Sequence, residues 1–194
     1  MATDLQAGTV YDDATRDELL GLVGGEAERL DRIVANILSL SRIESGTYMP
    51  DLEPTDLRDL VEMSTRRLHR LLEHLSVELD LPADLPLVEA DPIQIDQVLT
   101  NLLENAARHS PSGAPVTVAA RPVGRLVEVS VTDQGQGLDT GIELFTPRPR
   151  GGGTASLGIG LVICRAIVES HGGTITAGGG DNGGARFAFT LRQA

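Results

Sequence analysis

Three short polar or glycine-rich segments interrupt this chain in a fixed order: Asn101-Leu-Leu-Glu-Asn105, Asp133-Gln-Gly-Gln-Gly137 and Leu157-Gly-Ile-Gly-Leu161. Asn101 and Asn105 stand four residues apart, so a helix presents both amides on one face. Asn is a poor helix former, and two within one turn cost intrinsic stability. Asp133 directly follows the alternating run Val127-Glu-Val-Ser-Val-Thr132 and therefore ends a strand. The third segment puts two glycines at the opening of a helix, where backbone N–H groups are free to meet an anion. The three segments thus mark one helix face, one strand end and one helix start.

The elements around these segments predict an α/β fold. Asp91-Pro92 starts a helix, the acid capping and the proline in the first turn, and Ser110-Pro-Ser-Gly113 stops it after His109. Residues 116–121 and 126–132 alternate as the arms of a hairpin around Val123-Gly124-Arg125. Further strands are expected at 77–81, 87–90, near 173–177 and at 185–191, with helices from Thr55 or Asp56 to about Leu75 and over 158–171. Two helices before the hairpin and one after it describe a two-layer α/β sandwich, helices on one face of the sheet. His171, before Gly172-Gly173, reads as a C-terminal cap, and Cys164 as a core thiol.

Residues 16–45 read as one long helix. Leu20, Val23, Ala27, Leu30, Val34 and Ile37 recur in steps of three and four, widened by Ile33 and Leu40, as in a helical bundle. Gly46 ends it, and Pro50 and Pro54 mark a linker. This divides the chain into a helical segment (1–46), a linker (47–54) and an α/β domain (55–194).

Charge and composition remove other classes. The balance of 28 Asp+Glu against 16 Lys+Arg gives −12, without basic runs and with five aromatic residues, which argues against a nucleic-acid surface. An acidic chain repels free phosphates at long range, so a phosphate site must rely on a cation, local arginines and backbone N–H groups. No stretch approaches the ~20 apolar residues of a membrane span. The polar N-terminus is no signal peptide, and one cysteine cannot form an internal disulfide, which fits a cytoplasmic location; a membrane-anchored parent is compatible with this.

The three segments, in this order, resemble the N, G1 and G2 boxes of sensor histidine kinases, within the superfamily that includes gyrase, Hsp90 and MutL. The resemblance spans residues 17–194 and implies a Bergerat-type ATPase fold with a mixed sheet, preceded by a dimerisation helix. It implies ATP and Mg²⁺ as cofactors, with Asn105 as metal ligand through its amide oxygen. Arg108 is implied on the phosphates, and His109 stands where an aromatic ring usually lies against the nucleotide. Asp133 would accept from the adenine N6 amino group, with Gly135 and Gly137 letting backbone approach the base. Gly158, Gly160 and Leu161 would line the phosphate end. Residues 138–157 resemble the ATP lid, tethered by Phe145, with Arg150 the first choice and Arg148 the second for the γ-phosphate.

Asn101 occupies the position that holds a water-activating glutamate in the related ATPases. An amide cannot act as a general base, so transfer to an incoming nucleophile is favoured over hydrolysis. Glu104 points ~60° away from Asn101 on an ideal helix and could polarise an incoming histidine. The family's phosphoacceptor histidine is missing from residues 1–68, which contain no histidine, and His69 and His74 lie outside an acceptor context. Residues 16–45 resemble the second helix of the family's dimeric hairpin, so the acceptor would come from elsewhere. Met1 then starts either an engineered catalytic fragment or the ATP-binding half of a split kinase. The expected function is ATP-dependent histidine phosphorylation, with a response regulator as onward recipient and a homodimer when the full hairpin is present. Two other readings are a non-catalytic nucleotide- or partner-binding module with a degenerate lid, and an anti-sigma-type serine kinase.

Overall fold

The computed structural model describes residues 12, 15–16, 19–24, 34, 38, 49–138, 144–146, 159–180 and 183–194. The chain forms two compact units, Met1–Ser41 and Arg42–Ala194. In the first, residues 19–24, Val34 and Leu38 are helical, and Leu20, Val23 and Val34 of the predicted stripe are each 50–55% exposed. The rest of the helix predicted over 16–45 lies largely outside the described residues.

The second unit runs β1 (Glu53–Thr55), α1 (Leu57–Arg67), α2 (His69–Leu72), β2 (Ser76–Asp80), β3 (Val88–Ala90), α3 (Pro92–His109), β4 (Pro115–Val123), β5 (Leu126–Thr132), α4 (Gly160–Ser170), β6 (Ile175–Gly180) and β7 (Gly183–Arg192). Five strands form a mixed sheet in the order β2-β4-β5-β7-β6, with β2 parallel to β4 and the other pairs antiparallel. One face is apolar by strict alternation: Val116, Val118 and Ala120 on β4, Val127, Val129 and Val131 on β5, Phe187, Phe189 and Leu191 on β7, all buried. The helices cover that face. This is the two-layer α/β architecture read from the sequence.

Local chemistry explains where α1 and α3 begin. Asp56 accepts from the backbone N–H groups of Arg58 and Asp59, and Asp91 from those of Ile93 and Gln94. Each cap satisfies donors that the first helical turn leaves open. On α3, Ile95, Val98, Leu99, Leu102, Leu103 and Ala106 are buried at helical spacing, so this helix is the central one of its layer.

Two elements differ from expectation. The helix predicted from residue 56 to about Leu75 breaks at Leu68, whose ψ is 9°, and a separate short α2 follows. Leu75 then bonds its N–H to the Leu72 carbonyl, a tight turn that delivers Ser76 to its partner Pro115. Residues 53–55, inside or beside the predicted linker, form β1 and pair antiparallel with β3 as a separate two-stranded sheet. Pro54 hid this strand because it cannot donate to a ladder, yet a proline is tolerated on an edge strand. Asp56 rather than Thr55 provides the cap, since the Thr55 hydroxyl lies 3.1 Å from the carbonyls of Glu53 and Ala90.

Candidate functional site

Helix α3 carries Asn101, Glu104, Asn105, Arg108 and His109 in its second half. Asn101 is buried, Glu104 and Asn105 are half-buried, and Arg108 and His109 are exposed. The gradient runs from core to surface over little more than two turns, so amides and guanidinium occupy successive depths at one edge of the helix layer.

Asp133 lies one residue beyond β5 and is only 5% exposed. A carboxylate at this depth needs hydrogen-bond donors. Its Oδ1 accepts from the N–H of Gly135 at 2.8 Å and of Ala185 at 3.1 Å, and its own N–H donates to the Ala185 carbonyl at 2.9 Å. Among the described residues no hydrogen bond takes Oδ2. The carboxylate is thus fixed by one oxygen and presents the other, which suits it to receive an amino group.

The turn that follows Asp133 is held from two sides. Gly135 lies against the carbonyl of His109, so closely that a Cβ there would collide with it. On the other side, Gly184 sits against the Asp133 carbonyl with φ +64°, a conformation and a space that exclude side chains. The Gly137 backbone in turn meets Gly184. The end of α3, the turn 133–137 and the start of β7 therefore lock together around the carboxylate.

Helix α4 approaches α3 from the phosphate end of the predicted site. Asn101 Nδ2 donates to the Gly160 carbonyl at 3.4 Å, and a Cβ on Gly160 would lie 3.3 Å from Asn101 Oδ1. α4 has no side-chain cap, so its opening N–H groups are not consumed by one. Leu161 is half-buried and packs on the core. Cys164 is fully buried, and its thiol is pushed up to about 12, mainly by burial, against a hydrogen bond with Asn101. It is an inert core thiol, as its apolar helix predicts.

The structure thus sets Gly160 against Asn101 at the middle of α3 and Gly135, in the turn after Asp133, against His109 at its C-terminal end, with Asn105 and Arg108 between them in sequence. Phe145 is half-buried against the core. Gly158, Arg148 and Arg150 lie outside the described residues. Sequence reasoning missed Gly184 and the backbone N–H of Ala185; the pair Gly183-Gly184 before an alternating strand is the signal that could have found them. It also missed a partner for His171, whose Nε2 accepts from the N–H of Asp91 at 3.0 Å.

Known proteins share this fold. Residues 90–194, more than half of the chain, match the family described as histidine kinase-, DNA gyrase B-, and HSP90-like ATPase. The chain belongs to this family, and its matched region has the fold of the ATP-binding catalytic region of sensor histidine kinases. Among individual proteins it is similar to the sensor protein KdpD of Escherichia coli strain K12, 38% identical over 167 residues, which cover 84% of this chain and 19% of KdpD. It is also similar to the alginate biosynthesis sensor protein KinB of Pseudomonas aeruginosa, 34% identical over 183 residues, covering 90% of this chain and 30% of KinB. The solved structure of the Acinetobacter baumannii histidine kinase AdeS aligns with a TM-score of 0.72 at 27% identity, covering 100% of this chain and 90% of that one. The chain spans 19% and 30% of the length of these two curated relatives. No helix among the described residues is long and apolar enough to cross a membrane.

Proposed function

We propose that this chain binds MgATP between α3, the turn after β5 and the start of α4, and donates the γ-phosphate to a histidine on a helix supplied from elsewhere. A response regulator's aspartate is the onward recipient, and the helical segment joins a homodimer when its full hairpin is present. The observation that carries the reading is Asp133: a buried carboxylate anchored through one oxygen by two backbone N–H groups. In this reading its other oxygen accepts from the adenine N6 amino group, and Gly135 and Gly137 let the adjoining turn pack closely on His109 and Gly184 and bring its backbone to the base.

The residues present fit a magnesium ion held jointly with phosphates. Among the described residues there is no cluster of three or more His, Cys, Asp or Glu able to hold a metal alone. Mg²⁺ is commonly bound by one or two protein groups together with substrate phosphates and water. Asn105 would supply the amide oxygen, and the bound ion would neutralise charge on the transferring phosphoryl group. Arg108 contacts the phosphates, with Arg150 first and Arg148 second for the γ-phosphate, while Gly158, Gly160 and Leu161 form the glycine end. Glu104 polarises the incoming histidine. Asn101 offers no general base, which favours transfer over hydrolysis.

Calorimetry with Mg²⁺ and the analogue AMP-PNP tests the adenine assignment. Asp133→Ala should lower affinity about tenfold to hundredfold, the effect of losing one hydrogen bond to a buried polar edge. Equal binding by both proteins would refute it. Labelled ATP tests the transfer: the chain alone should gain no acid-labile phosphate, and a separate polypeptide carrying an acceptor-histidine helix should become labelled in its presence. Stoichiometric labelling of His69 or His74 would overturn the reading.

A further inference from the structure

Helices α3 and α4 are tied a second time at the end away from the predicted phosphates. His171, at the C-terminus of α4, is 4% exposed. Its Nδ1 lies 2.8 Å from the Ile167 carbonyl oxygen, and its Nε2 lies 3.0 Å from the backbone nitrogen of Asp91. A carbonyl only accepts and an amide N–H only donates. Both contacts are therefore satisfied by one species alone, the neutral ring with its proton on Nδ1. Asp91 in turn caps α3 through Oδ1 and takes the N–H of Asp51 on Oδ2 at 3.2 Å. Three segments meet here: the stretch just before β1, the start of the asparagine-bearing helix and the end of the glycine-opened one.

We propose that Asp91 and His171 form a positioning latch for the nucleotide site, engaged only while the imidazole is uncharged. It fixes the register of α3 against α4, and so the fit of Asn101 to Gly160, about 15 Å further along α3 at ~1.5 Å per residue. The latch rests on the MgATP reading above for its effect, though not for its geometry. A proton on Nε2 would face the Asp91 N–H, abolish that bond and leave a part-buried donor without its acceptor.

The charged group facing the ring is Asp91, from the start of α3. On β7, Arg192 sits against Gly172, one residue on from the ring. On the ring's own helix, Arg165 pairs with Glu169, and the neutral Ser170 hydroxyl lies 3.4 Å from Nδ1. Burial holds the imidazole below its ordinary value, opposed by the Ile167 carbonyl and by Asp91. A base whose folded value is depressed binds more protons when unfolded. The stability the neutral ring contributes is therefore full above the ordinary value of 6.5 and declines as pH falls below it, while the latch itself opens as pH falls through the lower, folded value.

Affinity for AMP-PNP with Mg²⁺, measured on the full chain from about pH 8 down through the pH at which NMR shows the His171 imidazole to titrate, tests the proposal. Wild type is compared with His171→Gln, which offers Asp91 an acceptor that does not titrate, and with His171→Leu, which offers none. The wild-type to Gln ratio cancels the titration of the ligand's phosphates, which is common to both proteins. It should fall about threefold to tenfold across that range, with His171→Leu weak throughout. A ratio independent of pH overturns the latch. Nitrogen NMR of the imidazole, without nucleotide, is the second readout. The Nδ1–H tautomer and titration below 6.5 are expected; an Nε2–H tautomer, or titration at or above the ordinary value, overturns it. Absence of nucleotide binding at every pH, with the expected tautomer, would instead sink the MgATP reading and the latch's role in it.

Discussion

Asn101 shows how one side chain can be constrained by a neighbour that has none. Its amide lies against the Gly160 backbone and reaches the Cys164 thiol, in a space already filled. Replacing it with the glutamate of the related ATPases would add a methylene and a charge at a buried position. Asn101→Glu should therefore lose about 1–3 kcal/mol of stability, the usual cost of overpacking, and gain no phosphate release above background. Urea denaturation and a phosphate-release assay check the two halves, and faster hydrolysis in a stably folded variant would refute the second. The residue type was legible in the sequence, where the amide's inability to act as a base could be read directly. Its contact with Gly160 was not, because residues 59 apart in sequence show no common period.

Helix starts were the most legible elements, since a cap is a local device. Asp91-Pro92 and Asp56 announce α3 and α1, and the structure puts both carboxylates on first-turn N–H groups. The two caps differ in what else they hold. Asp56→Ala should cost about 1 kcal/mol, whereas Asp91→Ala, which also releases Asp51, should cost about 2 kcal/mol. Denaturant midpoints at constant slope measure both, and equal costs would mean that the Asp51 bond adds nothing. The hairpin β4–β5 was equally legible, from its alternation and Gly124. Strand β1 was not, because three residues around a proline carry no period and gain their identity from pairing with β3, 35 residues away. The anchoring of Asp133 by Ala185 escaped notice for another reason: every residue but proline has a backbone N–H, so its use leaves no mark on the side chain.

At the scale of the molecule, every described residue assigned to nucleotide binding lies between Asn101 and Leu161, inside the second compact unit. Residues 42–194 alone should therefore fold cooperatively and bind AMP-PNP within about threefold of the full chain, a difference of less than 1 kcal/mol. Calorimetry on the two polypeptides decides this, and a larger loss would show that the helical unit supports the site. The sheet order also bears on how the chain matures during synthesis. β7, which follows β6 in the chain, lies inside the sheet between β5 and β6, and among the described residues β6 pairs with no other strand. Both therefore join a three-stranded core made earlier, and the Asp133 carboxylate waits for Ala185 to emerge before it gains its second donor. Translation proceeds from the N-terminus at ~5–20 residues per second. The adenine end of the site is thus completed only once residue 185 has been made, and a ribosome-stalled chain ending before residue 183 would carry the asparagine helix with the Asp133 carboxylate held by Gly135 alone.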